Sequence, residues 1–233
     1  LAVRNFRGVA GDAVLSRADR VVVLSPRAFV LFTGFGLPPE KTVVIPNFVD
    51  PAGFSPEAPV GREWVYIGRL SEEKGIRTLL RDWPDSQILN IYGEGELRLE
   101  TEEAVAGRSN LRYHGKLNHS QVASVLARAR GLVFPSECAE NAPMVYVEAL
   151  AAGRAVIARE GNGAADDVAK AGVGVTYTDA IELKDALALS TRQLVTYGRT
   201  ARAHYEATYT QQRWLESTER LYREIAPDRG SIN

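Results

Sequence analysis

Cysteine is nearly absent from this sequence: Cys138 is the only one among 233 residues. A single thiol excludes an intramolecular disulfide framework and suits a reducing, cytoplasmic setting. Histidine is also scarce: His114, His119 and His204 are scattered, and with a single cysteine they give no metal-ligand spacing. No apolar run approaches the ~20 residues that a membrane-spanning helix needs, and no signal-peptide pattern follows Leu1. Charge of one sign is not in excess either. A formal net charge of -1 argues against nucleic acid as the main partner. The nucleophile elbow G-x-S-x-G, the phosphate loop G-x-x-x-x-G-K-[ST] and the full dinucleotide fingerprint G-x-G-x-x-G are all missing. The sequence has no internal repeat or low-complexity tract, and a start at Leu1 reads as a piece of a longer protein.

What is present is ordinary globular composition, 45% hydrophobic and 24% charged, with room for one large core. From residue 64 the pattern cycles through apolar strand, turn and helix. The expected strands are Trp64–Gly68, Ile88–Gly93, Leu111–Gly115, Gly131–Pro135, Ala155–Arg159 and Gly174–Tyr177. Helical stretches fall between them at Glu96–Ala106, Ser120–Arg130, Pro143–Ala152, Ala164–Ala171 and Ile181–Leu189. Such alternation predicts βαβ units, hence an α/β, Rossmann-like doubly wound parallel sheet with right-handed crossovers. Ligands of such sheets bind beyond the carboxyl ends of the strands. Residues 1–50 read differently. Two short strands, Ala18–Leu24 and Thr42–Ile45, flank a helix started by Ser25-Pro26, and the breaker-dense run from Pro46 to Pro56 has the look of a linker. Two strands make no independent domain, so residues 1–50 are expected to be the remnant of a preceding domain and 51–233 a ligand-binding one. Arg202–Ile225 is expected to form one long amphipathic helix, with Trp214, Thr218, Leu221 and Ile225 on a stripe that covers the sheet.

The loops at the expected strand ends carry the chemistry. Glu140 and Glu148 stand eight residues apart, one before a helix opened by Pro143 and one inside it. Val145, Tyr146, Val147, Ala149 and Leu150 surround Glu148, which leaves few faces for water, and a buried carboxylate needs a hydrogen-bond partner. The first amides of that helix, from Asn141 and Ala142 to Met144, form an anion site. In Gly68-Arg69-Leu70-Ser71-Glu72-Glu73-Lys74-Gly75, Ser71 is a natural N-cap. Arg69 and Lys74 flank the turn and would converge on a diphosphate, or pair with Glu72 and Glu73. Gly93 and Gly95 allow close backbone approach to a ligand or simply make a turn. The main chain of Lys116 and Leu117 would face a nucleobase, or belong to a turn closed by Gly115. In Gly161-Asn162-Gly163-Ala164-Ala165-Asp166-Asp167 the acids would bind a hydroxyl or cap the following helix.

Taken together, these residues resemble the C-terminal half of a GT-B glycosyltransferase of family 4, the large retaining group, from about Ala18 to Ile225. Val44-Ile45-Pro46-Asn47-Phe48-Val49-Asp50 is similar to the interdomain signature, with Phe48 where glycine is commonest. Gly68-Arg69-Leu70…Lys74-Gly75 is similar to the diphosphate loop. Glu140 to Glu148 is similar to the E-x7-E element, in the form E-N-x-P. The resemblance implies a nucleoside-diphosphate sugar as substrate, with no cofactor and no metal. Arg69, Lys74 and Glu140 would be catalytic. Gly68, Gly93, Lys116, Leu117, Asn141, Ala142, Pro143, Met144 and Glu148 would bind the donor, Glu148 through the ribose hydroxyls. The acceptor would be held by a domain not present here, which leaves room for peripheral membrane contact through that domain. Two departures stand out: Asn162 separates the glycines of the loop after the fifth strand, and Asp166 replaces its usual Glu. A non-catalytic nucleotide-sugar-binding module is the competing reading. An NAD-dependent enzyme is disfavoured by the missing third glycine, and a sugar-nucleotide epimerase of similar build carries less weight.

Overall fold

A computed structural model describes residues 13–140 and 142–226. Helix α1 (Ala13–Arg17) leads to strand β1 (Val21–Val23), helix α2 (Pro26–Gly34) and strand β2 (Thr42–Val44). β1 and β2 pair in parallel, Val21 opposite Thr42, and form a two-stranded sheet separate from the main one. α2 begins as its sequence requires. Pro26 supplies a pre-set φ at the first turn, and Ser25 Oγ accepts the Ala28 N–H at 3.1 Å. The run from 46 to 56 contains turns but no helix or strand.

The main sheet contains β3 (Trp64–Ile67), β4 (Leu89–Tyr92), β5 (Leu111–Tyr113), β6 (Leu132–Phe134), β7 (Val156–Arg159) and β8 (Gly174–Tyr177). Its order is β5-β4-β3-β6-β7-β8, with every pair parallel. The chain therefore starts in the middle, winds to one edge, returns and winds to the other. The reversal falls between β3 and β6, and that is where such sheets open a crevice. Helices α3 (Ile76–Asp82), α4 (Arg98–Ala106), α5 (His119–Arg128), α6 (Met144–Ala151), α7 (Gly163–Ala171) and α8 (Ala180–Leu187) connect the strands, and α9 (Thr191–Thr208) and α10 (Gln211–Ile225) follow. Alternate strand residues face opposite layers. Val65, Leu132, Phe134, Val156 and Ala158 pack with α5, α6 and α7, while Trp64, Tyr66, Leu89, Ile91, Val133 and Ile157 pack with α3 and α8. Both faces are covered, so the strands read as continuous apolar runs.

Two elements depart from the sequence pattern. α3 spans only seven residues, fewer than two full helical periods, so periodicity gives it little signal. The single helix expected over 202–225 is instead two, broken at Tyr209-Thr210. Thr210 caps α10 through its side chain, which accepts the Arg213 N–H. Tyr209 is pulled out of helical geometry by its neighbours: its carbonyl accepts the Val49 N–H and its hydroxyl donates to Asp167. Tertiary partners override the local periodicity there. α9 packs tightly on α6 because Gly198 leaves room: a Cβ at that position would lie 2.3 Å from the Gly153 carbonyl oxygen. Among the described residues no helix is long and apolar enough to cross a membrane.

Candidate functional site

The loop after β3 is held by three hydrogen bonds from two sides. Gly68 N–H donates to the Tyr92 carbonyl at 3.0 Å and Leu70 N–H to that of Glu94 at 2.9 Å. From below, the Tyr66 hydroxyl donates to the Arg69 carbonyl at 2.6 Å. Burial, with the charges of Glu140 and Glu73, pushes that phenol well above its ordinary range, so it stays a donor. Gly93 and Gly95 are explained by the same loop. A Cβ at Gly93 would lie 1.8 Å from the Gly68 carbonyl oxygen, and one at Gly95 2.3 Å from that of Leu70. Their small size serves loop-on-loop packing, a reading that the fingerprint comparison missed.

The turn Glu72–Lys74 then crosses to the neighbouring strand's loop. Ser71 occupies the N-cap position in extended geometry but makes no capping bond with its side chain, because the turn is a three-residue 3-10 helix. Gly75 ends it at φ 69°, where a Cβ would lie 2.0 Å from the Pro135 carbonyl oxygen; only glycine fits. The Glu137 N–H donates to the Glu73 carbonyl at 3.0 Å. This contact between loops brings Lys74 to Glu140. The Lys74 ammonium donates to Glu140 Oε1, which also accepts from Ser136 Oγ at 2.8 Å. The pair is largely sheltered, with side chains 25% and 11% exposed.

An open cavity of about 730 Å³ lies over this pair, lined by Gly68, Arg69, Lys74, Glu140, Pro143 and Met144 together with Tyr66 and Ser136. An adjoining hollow of about 680 Å³ shares Gly68 and Arg69 and adds Gly93, Glu94, Lys116 and Leu117, with Tyr92 at its side. Tyr92 stacks on His114 at 4.7 Å. Arg69 sits on the common rim, 68% exposed, with Glu73 at 3.6 Å as its ion-pair partner. A pair so exposed contributes little, which leaves the guanidinium available to an anion. The two hollows lie beyond the carboxyl ends of β3, β4 and β6, at the reversal of strand order.

Residues 61–193 match the family described as glycosyl transferases group 1. This chain belongs to the group 1 glycosyltransferases. It is 35% identical over 133 residues to the phosphatidyl-myo-inositol mannosyltransferase of Mycolicibacterium smegmatis, covering 51% of this chain and 34% of that protein. It is 33% identical over 135 residues to one subunit of the Homo sapiens phosphatidylinositol N-acetylglucosaminyltransferase, covering 52% and 27%. The chain therefore spans about a third or less of the length of these curated relatives. In fold it is similar to the sucrose-phosphate synthase of Thermosynechococcus elongatus, with TM-score 0.78, 23% identity and coverage of 91% of this chain and 60% of that one. It is also similar to the Anabaena protein HepE, solved in complex with UDP-glucose, with TM-score 0.74, 20% identity and coverage of 87% and 64%. The main sheet is the Rossmann-like half of a GT-B fold.

Within this chain the expected site residues separate into groups. Arg69, Lys74 and Glu140 share the first cavity, and Gly93, Lys116 and Leu117 the second. Glu148 lines neither. It lies inside α6, one helical turn (roughly 6 Å) beyond Met144, 7% exposed, and its Oε1 stands 3.6 Å from His119 Nδ1 at the start of α5. Burial raises its pKa above the usual carboxylate range, although the His119 charge works against that. One hollow shared by all four charged groups is therefore not observed. Ala142 faces a third cavity with Ser25, Arg27 and Tyr146, and Asn141 lies outside the described residues.

The loop after β7 also differs from expectation. Asp166 and Asp167 do not cap α7; Asn162 does, through Oδ1, which accepts the Ala164 and Ala165 N–H groups at 3.0 Å each. Asp166 instead pairs with Arg27 at 2.8 Å. Asp167 accepts from the Tyr146 and Tyr209 hydroxyls and lies 2.9 Å from His204 Nε2. Burial would raise its pKa, but the bonds from His204, Tyr146 and Tyr209 together hold it below the usual carboxylate range. Asp167 is thus engaged by the fold, whereas Asp166 is exposed; both line the third cavity.

Proposed function

We propose that this chain supplies the donor side of a retaining glycosyltransferase, which moves a hexose from a nucleoside diphosphate to an acceptor. The observation that supports it best is the convergence of Arg69, Lys74 and Glu140 on one cavity at the strand-order reversal. Arg69 on the rim and Lys74 in the wall would bind the diphosphate and neutralise charge as it departs, without calling on a metal. A diphosphate entering the cavity competes for Lys74 and releases Glu140 to accept hydroxyls of the sugar. The adjoining hollow, with the main chain of Lys116 and Leu117, would take the base. Attack on the face from which the leaving group departs retains the anomeric configuration.

The relatives' names, a mannosyltransferase and an N-acetylglucosaminyltransferase, favour a hexose. HepE, solved with UDP-glucose, favours a nucleoside-diphosphate carrier. Residues 1–50 would be the end of an acceptor-binding domain, so the 233-residue chain alone binds donor and does not transfer it. The test is transfer by the enzyme that contains this chain, assayed with UDP-glucose, UDP-N-acetylglucosamine and GDP-mannose. Glu140→Gln is expected to lower turnover roughly 10²–10³-fold with nucleoside-diphosphate affinity retained. Unchanged turnover would overturn the assignment.

A further inference from the structure

Glu140 belongs to a loop without regular structure between β6 and α6, yet its carboxylate is held at one place in the cavity wall. The Glu140 N–H donates to Cys138 O, which turns the backbone without orienting the side chain. Besides Lys74, orientation comes from Ser136, which Asn162 holds in turn. Ser136, 1% exposed, donates its hydroxyl to Glu140 Oε1 at 2.8 Å. The Ser136 carbonyl in turn accepts from Asn162 Nδ2 at 2.9 Å.

Asn162 is fully buried, and its amide is fully used. Nδ2 also donates to the Arg159 carbonyl at 2.8 Å, while Oδ1 caps α7. One residue thus ties together the end of β7, the start of α7 and the loop that carries Glu140. The next residue, Gly163, brings the α7 backbone against the same loop: a Cβ there would lie 2.9 Å from the Glu140 carbonyl oxygen. Capping alone does not require asparagine, since serine or aspartate caps as well. What asparagine adds is a donor pointing back at Ser136.

We propose that Ser136 and Asn162 are positioning residues for the sugar-binding carboxylate, with Asn162 anchoring the loop and Ser136 aiming Glu140 into the cavity. The inference rests on the reading of Glu140 as the group that contacts the sugar. It predicts an effect confined to the sugar half of the donor.

The experiment is calorimetric titration of the enzyme containing this chain with UDP and UDP-glucose, and with GDP and GDP-mannose. Wild type is compared with Ser136→Ala, Asn162→Ser and Glu140→Gln. Asn162→Ser keeps a capping oxygen and removes the amide group that reaches the Ser136 and Arg159 carbonyls, so a loss of the α7 cap does not confuse the result. Ser136→Ala and Asn162→Ser are expected to lower affinity for the sugar nucleotide about 5–10-fold relative to the bare diphosphate, the scale of one ordinary hydrogen bond's net contribution. If Glu140→Gln lowers that ratio and Ser136→Ala leaves it unchanged, the positioning role is wrong. Equal losses for diphosphate and sugar nucleotide in the Ser136 and Asn162 variants would also overturn it, in favour of a purely structural role. If Glu140→Gln itself leaves the ratio unchanged, what fails is the reading of Glu140 on which the inference stands.

Discussion

Two glutamates that look alike in the sequence are placed in opposite physical situations. Glu140 lies among donors: the Lys74 side chain and the Ser136 hydroxyl meet at one of its oxygens. Glu148 is buried with His119 Nδ1 at 3.6 Å, and desolvation raises its pKa. A raised folded-state pKa means that protonation favours the folded protein. The cost of ionising Glu148 then grows as pH rises from the ordinary carboxylate value, about 4.3, through the folded-state value. Glu148→Gln should therefore have a higher melting temperature than wild type at pH 7, with the difference vanishing near pH 4. A thermal unfolding series across that range checks it. If the carboxylate binds ribose hydroxyls, diphosphate affinity should also fall as pH drops through the raised pKa, and Glu148→Gln should be weaker and pH-independent there. Calorimetry with UDP at several pH values decides that point.

At the scale of elements, the Asp167 cluster explains both the break between α9 and α10 and the seating of α6 and α7. Tyr146 comes from α6, His204 from α9 and Tyr209 from the break itself, and all three meet one carboxylate on α7. Burial raises both phenol pKa values, and the neighbouring Asp167 charge raises them further, so both remain donors throughout the working range. Because the pKa of Asp167 is lowered, its stabilisation is present above the ordinary carboxylate value and is lost as pH falls through the folded value. Asp167→Ala leaves the buried Tyr146 and the partly buried Tyr209 hydroxyls unpaired and should cost roughly 3 kcal/mol at pH 7, measured by urea unfolding, with a smaller cost in acid. The helix boundary between α9 and α10 escaped the sequence pattern for the same reason. Apolar spacing continues across Tyr209, and what stops the helix is a set of partners from distant elements.

For the molecule as a whole, described contacts between the β1–α2–β2 unit and the main domain are sparse. Arg27 reaches Asp166 at 2.8 Å and the Gly161 carbonyl at 2.9 Å, and Arg20 stands 4.0 Å from Glu224. These are exposed pairs worth little each. The segment after β2 is bound more firmly, through Val49 to Tyr205 and Tyr209 and through Phe48 to Trp214. A chain of residues 46–233 should therefore fold and keep its affinity for UDP or GDP. Its stability should drop by about 1 kcal/mol, a shift of ~2–4 °C in melting temperature. A molten or insoluble product would show that residues 1–45 belong to the same cooperative unit.

The sequence by itself determined the architecture and named candidates for the site. Six apolar runs separated by helical stretches leave a parallel sheet as the way to bury both strand faces, and charged loops at strand ends must then lie on one side of it. The grouping of those charged residues was decided only in three dimensions. Lys74 reaches Glu140 because Gly75 lets one loop lie on another, and Glu148 turns toward α5 because a helix carries it a turn away from the cavity mouth. Asn162, which looks like an interruption between two glycines, proves to be the pin that holds the loop of Glu140. Strand and helix patterns are local, so they survive reading in one dimension. Hydrogen bonds between loops 26 or 66 residues apart leave no periodic trace, and only the folded chain shows them.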